Sequence, residues 1–176
     1  MNRKRLFASL LAGCLIATFM LTPSTGSAQA DQRISNSMAS LKARAAKLGQ
    51  PKIQGKEAVG GKDAPALYFG STKINNNFEI VDAVSKEDGR GMTATFFVKS
   101  GDEYIRVSTS VPQAGGGGRA IGTILDPGGK AIADIKEGKP FYGEVPILGE
   151  PFIAAYEPMK DRHGEVIGIY YVGYKK

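Results

Sequence analysis

Four stretches between Met92 and Tyr174 constrain this chain more than any other feature: Met92–Lys99, Glu103–Val111, Pro151–Lys160 and Val166–Tyr174. Each is rich in Val, Ile, Thr, Phe or Tyr, side chains that pack well on a pleated, half-buried surface. They are bounded by Ser100-Gly101-Asp102, Leu148-Gly149-Glu150 and Asp161-Arg162-His163-Gly164, which read as tight turns. A twisted antiparallel sheet follows, and the segments upstream of it read as scaffolding.

Within Glu103–Val111, a period of two puts Ile105, Val107, Thr109 and Val111 on one face and Tyr104, Arg106, Ser108 and Ser110 on the other. The first set is fit to bury against a helix. The second is either a solvent-facing strand surface or the polar floor of a pocket, with Arg106 placed to take a carboxylate through two parallel hydrogen bonds. In Pro151–Lys160, Phe152, Ala154, Tyr156, Pro158 and Lys160 share one parity, and Ile153, Ala155 and Met159 the other. If the first set joins the face of Arg106, a ring and a phenol are added to it. Lys160, near a turn, reads as exposed.

The first thirty residues stand apart. Met1-Asn2-Arg3-Lys4-Arg5 is a positive leader, Leu6 to Leu21 an apolar run, and Ala28-Gln29-Ala30 a small-residue cleavage site. Together they make an export signal, with Ala30 the last residue removed and a single domain over residues 31–176. Leu11-Ala12-Gly13-Cys14 also has the form of a lipid-attachment site on Cys14, but the apolar run continues past that cysteine. Beyond Ala30 there is no cysteine, and the 17 acidic residues nearly offset the remaining basic ones. No Lys/Arg block with interleaved aromatics occurs, so nucleic acid is not an expected partner. The expected compartment is the periplasm.

Downstream, Asp31 to Leu48 reads as a helix with an apolar stripe of Ile34, Met38, Leu41, Ala45 and Leu48, ended by Gly49 and Pro51. The stripe is expected to lie on the sheet; a weak homodimer through this helix is the other use it allows. Lys52 to Asp63 reads as loop with at most a short edge hairpin, and Ala66–Gly70 as a short strand. Asn76 and Glu79 resemble a capping box for a helix carrying Phe78, Val81 and Val84, stopped by Asp88-Gly89. Gly115 to Gly118 read as a flexible connection, since no amphipathic helix opens behind them as phosphate binding would need. Ala131, Ile132 and Ile135 mark a short helix before Phe141–Val145 returns to the sheet.

The chain beyond Ala30 holds one histidine, His163, in a turn without an orienting partner. A Ser-His-Asp triad has only that histidine to use, a cysteine nucleophile is absent, and zinc- and calcium-type ligand runs are missing. No cofactor and no metal are expected. Binding is a better class than catalysis.

Several blocks resemble the Cache sensor domains of the Cache 3/Cache 2 fusion type: Leu67-Tyr68-Phe69-Gly70-Ser71-Thr72-Lys73 with Asn75-Asn76-Asn77-Phe78, Gly91–Val98, Tyr104–Ser110, Arg119–Thr123, Gly138–Gly143, and Tyr156–Asp161 with Gly164–Gly168. The resemblance implies an α+β, PAS-like fold: a long N-terminal helix packed on a central antiparallel sheet, with a ligand pocket on the opposite face. It implies a sensor of small molecules such as organic acids, of the kind that serves chemoreceptors and histidine kinases in chemotaxis and signal transduction. No apolar span follows Gly173, so a separate membrane signalling partner is expected. The rival readings are an exported structural or accessory protein with a degenerate pocket, and a component of an enzyme. On the sensor reading Arg106 is the anion anchor. Tyr104, Ser108, Tyr142 and Tyr156 complete the polar lining, Phe96 and Phe152 form the apolar wall, and Arg119 closes the mouth from its glycine hinge. The set suits a carboxylate, and equally a urea, a purine or a phosphate.

Overall fold

A computed structural model describes residues 25–176, with side chains from Gln32. The expected export signal, with Cys14, lies outside the described residues except at its end, where the backbone is helical from Thr25 through Ala30. Helix α1 spans Thr25–Ala46, and a hairpin of β1 (Pro51–Val59) and β2 (Lys62–Phe69) follows, with β3 (Thr72–Lys73) completing a small sheet. Helix α2 spans Glu79–Asp88. The large sheet is built from β4 (Met92–Ser100), β5 (Glu103–Thr109), β6 (Phe141–Ile147), β7 (Glu150–Lys160) and β8 (Val166–Lys175) in the order β5-β4-β8-β7-β6, every pair antiparallel. A short α3 (Lys130–Lys136) precedes β6. The architecture is the α+β arrangement expected, with the N-terminal helix packed on the antiparallel sheet.

The sheet separates two apolar clusters. On one face the α1 stripe of Ile34, Met38, Leu41 and Ala45 packs with Val81 and Val84 of α2, Phe69 of β2, and Phe96, Val98 and Tyr170. On the other, Ile132 and Ile135 of α3 pack over Phe97, Tyr104, Ala154, Tyr156 and Tyr171. Leu48, counted in the stripe, falls past the end of α1 and is exposed.

Residues 52–63 are not a loop. They form β1 and the start of β2, paired from Pro51↔Phe69 to Val59↔Lys62 with a shift of register between Ile53 and Lys56. Gly55 sits in that bulge at φ 77°, a conformation that glycine adopts without a Cβ penalty. The strand is exposed along most of its length, so its sequence lacks the alternation that marks a half-buried strand. The three asparagines also divide differently from a capping box. Asn75 is buried, its Oδ1 accepting from Leu67 N at 2.9 Å; Asn76, at φ 58°, donates its Nδ2 to Ala58 O at 3.1 Å; and Asn77 Oδ1 accepts from Glu79 N at 3.0 Å. Gly89, at φ 64°, closes α2 as expected.

Helices α1 and α2 are locked together by Arg33. Its Nε donates to Asp88 Oδ1 at 2.8 Å and its Nη2 to Oδ2 at 2.6 Å, while its guanidinium lies 4.0 Å from the ring centroid of Tyr174. The Asp88 side chain is 5% exposed, and the hydrogen bond from Arg33 holds its carboxyl below the usual carboxylate range. A depressed folded pKa gives stability that is present above the unfolded pKa, near 3.9, and lost as pH falls through the folded value. Asp88→Asn is therefore expected to cost roughly 1–3 kcal/mol at pH 7, with the two proteins converging in strong acid. Urea titrations at pH 7 and at a series of pH values falling from 4 into strong acid measure it.

Candidate ligand-binding site

The site starts from Arg106, in the middle of β5. After β5 the chain turns back, and residues 120–125 run beside it almost as a further strand: Arg106 N donates to Thr123 O, Gly122 N to Arg106 O and Leu125 N to Tyr104 O, each at 2.9 Å. This return is possible because Gly122, at φ 75°, passes so near the β1–β2 turn that a Cβ would lie 2.7 Å from Val59 O. It covers the edge of β5 and encloses the Arg106 side chain, leaving the residue 4% exposed.

Arg106 Nη1 donates to Thr123 Oγ1 at 2.6 Å, and its guanidinium carbon lies 4.9 Å from the Phe97 ring centroid. Its Nε is fully buried and has no hydrogen-bond partner among the described residues. None of the ion pairs among those residues includes Arg106. Burial lowers its pKa, opposed by the neighbouring phenols of Tyr156 and Tyr171. A buried guanidinium without a counter-charge is costly to the fold and is therefore a group an anion would complete.

On the same face of the sheet is a cavity of about 250 Å³ at the start of α3, lined by Leu125, Gly129, Ala131, Val145, Pro146 and Tyr156 with the exposed Asp126, Lys130 and Glu144. Tyr156 is 2% exposed; burial pushes its phenol up to about 12, with Arg106 pulling down and Asp126 adding to the rise. A larger open groove of about 520 Å³ runs between the start of β1 and the β7–β8 turn, but its cationic groups, Lys52 and Arg162, are both exposed. The smaller cavity is walled by Tyr156, whose phenol feels the buried charge of Arg106, and desolvation is what makes a charged anchor effective.

Of the residues picked from the sequence, Arg106, Tyr104, Phe152 and Tyr156 share the α3 face of the sheet. The other four do not join them. Phe96 lies in the opposite cluster, 5.6 Å from Phe69 and 5.9 Å from Tyr170 between ring centroids; its neighbour Phe97 takes the position beside Arg106. Ser108 also faces the α1 side, its Oγ donating to Asn77 O at 2.5 Å. The cause is a bulge. Phe96 pairs with Ser108 and Phe97 with Arg106, so Val107 is the extra residue and the strict alternation along β5 reverses beyond it. Tyr142 pairs with Ala155, which faces α1, and bonds Glu157 from a half-exposed position; it is Phe141, opposite Tyr156, that joins the α3 face.

Arg119 is not free to close a mouth. It makes two hydrogen bonds to Asp82 of α2, at 2.7 and 2.9 Å, donates to Thr109 O, and lies 4.4 Å from the Phe78 ring centroid. The glycines before it form an exposed turn closed by Gln113 N to Gly118 O. Residues that sequence reasoning passed over are Phe97, Thr123, Leu125 and Tyr171. Thr123 carries no signal of its own, since only the return of the chain beside β5 brings it to the arginine.

Among the described residues no cluster of His, Cys, Asp and Glu is arranged to hold a metal, and no helix is long and apolar enough to cross a membrane. A family model described as the Cache 3/Cache 2 fusion domain matches residues 22–176. Among curated proteins no sequence matches this chain.

Proposed function

Because the chain belongs to the Cache 3/Cache 2 fusion domain family, whose members are in general extracellular small-molecule sensor domains, we propose that it is a periplasmic receptor for a small carboxylate, held by Arg106, and that it signals through a separate membrane partner of the chemoreceptor or histidine-kinase kind. The observation that carries the ligand class is the Arg106 guanidinium, buried with no ion-pair partner among the described residues, on the face of the sheet that also carries a cavity of mainly apolar lining. A carboxylate offers two acceptor oxygens to the donors left over after Thr123 has taken one nitrogen. Leu125, Ala131 and Val145 then suit a short hydrocarbon body. The rest of the reading is that residues 1–30 are removed on export, leaving one ligand-binding domain that begins at Asp31.

A thermal-shift panel of short carboxylates, amino acids, amines and purines tests this on the exported protein, whose intact mass should correspond to a chain starting at Asp31. A ligand at a hundred times its Kd adds roughly 2.7 kcal/mol, several degrees for a protein of this size. Carboxylates should shift the melting point and their amides should not. If no compound shifts it, an accessory role with a degenerate pocket replaces the sensor reading.

A further inference from the structure

We propose that Tyr156 is the specificity-determining partition of this site: its ring separates the cavity beneath α3 from the Arg106 guanidinium, and only an anionic head group that displaces the ring joins the two. The inference rests on the carboxylate reading above and adds how the site selects. Arg106 is not part of the cavity wall, and its Nε is closed to solvent, so no ligand touches that nitrogen in the arrangement seen. Tyr156 belongs to both compartments. It lines the cavity, and its phenol is near enough to Arg106 and to Asp126 to feel the charge of each. Its ring lies 6.4 Å from Phe97, the ring over which Arg106 is stacked, and 4.9 Å from Tyr171.

The ring also has a place to go. Phe141, 6.2 Å away on the edge strand β6, is only half-buried, and the cavity that Tyr156 lines is bordered by the small residues Gly128, Gly129 and Ala131 as well as by Lys130. Displacing a packed tyrosine is unfavourable. The guanidinium, once reached, repays this to a ligand carrying a full negative charge and not to a neutral isostere, because ionised acceptors make the stronger hydrogen bonds. The partition thus turns a small pocket into one that discriminates by charge as well as by size.

Arginine-directed labelling tests it. Phenylglyoxal is applied to the full exported protein, and modification at each arginine is followed by peptide mass mapping, with the exposed Arg162 as internal reference. Arg106 should react at least tenfold more slowly than Arg162 in the native protein and approach it in Tyr156→Ala. Tyr156→Leu, which keeps more of the buried volume, should show the same gain if the alanine variant does not fold. Acetate, compared with chloride at equal ionic strength, should protect Arg106 in the opened variant, whereas acetamide should not. Fast labelling of Arg106 in the native protein, or no gain in either folded variant, overturns the partition. Labelling that rises in the variant but is indifferent to acetate upholds the partition and removes the carboxylate reading instead.

Discussion

Replacing Arg106 with methionine is expected to raise the melting temperature of the ligand-free protein and to abolish its response to carboxylates. The two effects have one cause. Arg106 is 4% exposed, bonded to Thr123 through Nη1, and leaves Nε without a partner among the described residues. A base whose pKa is lowered in the folded state, as burial lowers that of Arg106, destabilises the fold over the whole range in which it is charged. Methionine fills similar space with no charge to desolvate, a change worth about 1–3 kcal/mol in the stabilising direction after loss of the Thr123 bond and the Phe97 stack. That corresponds to a rise of several degrees. Binding should fall at least a hundredfold, since a ligand carboxylate would then be buried with no counter-charge. Arg106→Lys separates the parts: it keeps the charge and so the cost, but a single ammonium cannot present the paired donors of a guanidinium. A large loss of stability in Arg106→Met would show instead that the arginine is a structural member of the core.

The second large effect is on the other face. Phe96→Ala should destabilise the domain by about 3–5 kcal/mol, while the response to ligand survives in whatever fraction stays folded. Phe96 is fully buried, its ring packed with those of Phe69 from the hairpin and Tyr170 of β8, which also lie 6.2 Å from each other. It ties the β1–β2 hairpin to the large sheet, and its removal leaves a void bounded by two rigid rings that cannot collapse into it. Calorimetry or urea unfolding gives the stability change, and the same thermal-shift panel gives the binding. Loss of ligand response with stability unchanged would place the pocket on the α1 face and contradict the site described above. The position also illustrates how a side chain chosen for a pocket wall turns out to be core: Phe96 and Phe97 are adjacent in sequence and separated by the whole thickness of the sheet.

The contrast between those two rings leads to what each level of description decides. Amino-acid sequence alone determined where the four main strands and the turns between them lie, because β-branched and aromatic runs closed by Gly-containing turns have few other solutions. It determined that α1 buries the side carrying Ile34, Met38, Leu41 and Ala45, that Tyr104 and Arg106 share one parity of their strand, and that Phe152 and Tyr156 share one parity of theirs, since period-two alternation holds over short, unbroken stretches; that the two pairs lie on the same face was decided by the pairing of the strands. It did not reveal β1, whose exposed faces need no alternation. Tertiary structure decided the rest of the site. The bulge at Val107 carries Ser108 to the opposite face; the pairing of Tyr142 with Ala155 sets the side on which that phenol lies; and Asp82, on a helix distant in sequence, captures Arg119. The burial of Arg106 itself comes from residues 120–125 folding back beside β5. Each of these depends on which strand meets which, and at what register. Local patterning cannot encode that, because one inserted residue inverts every face beyond it and an ion pair forms with whatever the fold brings near.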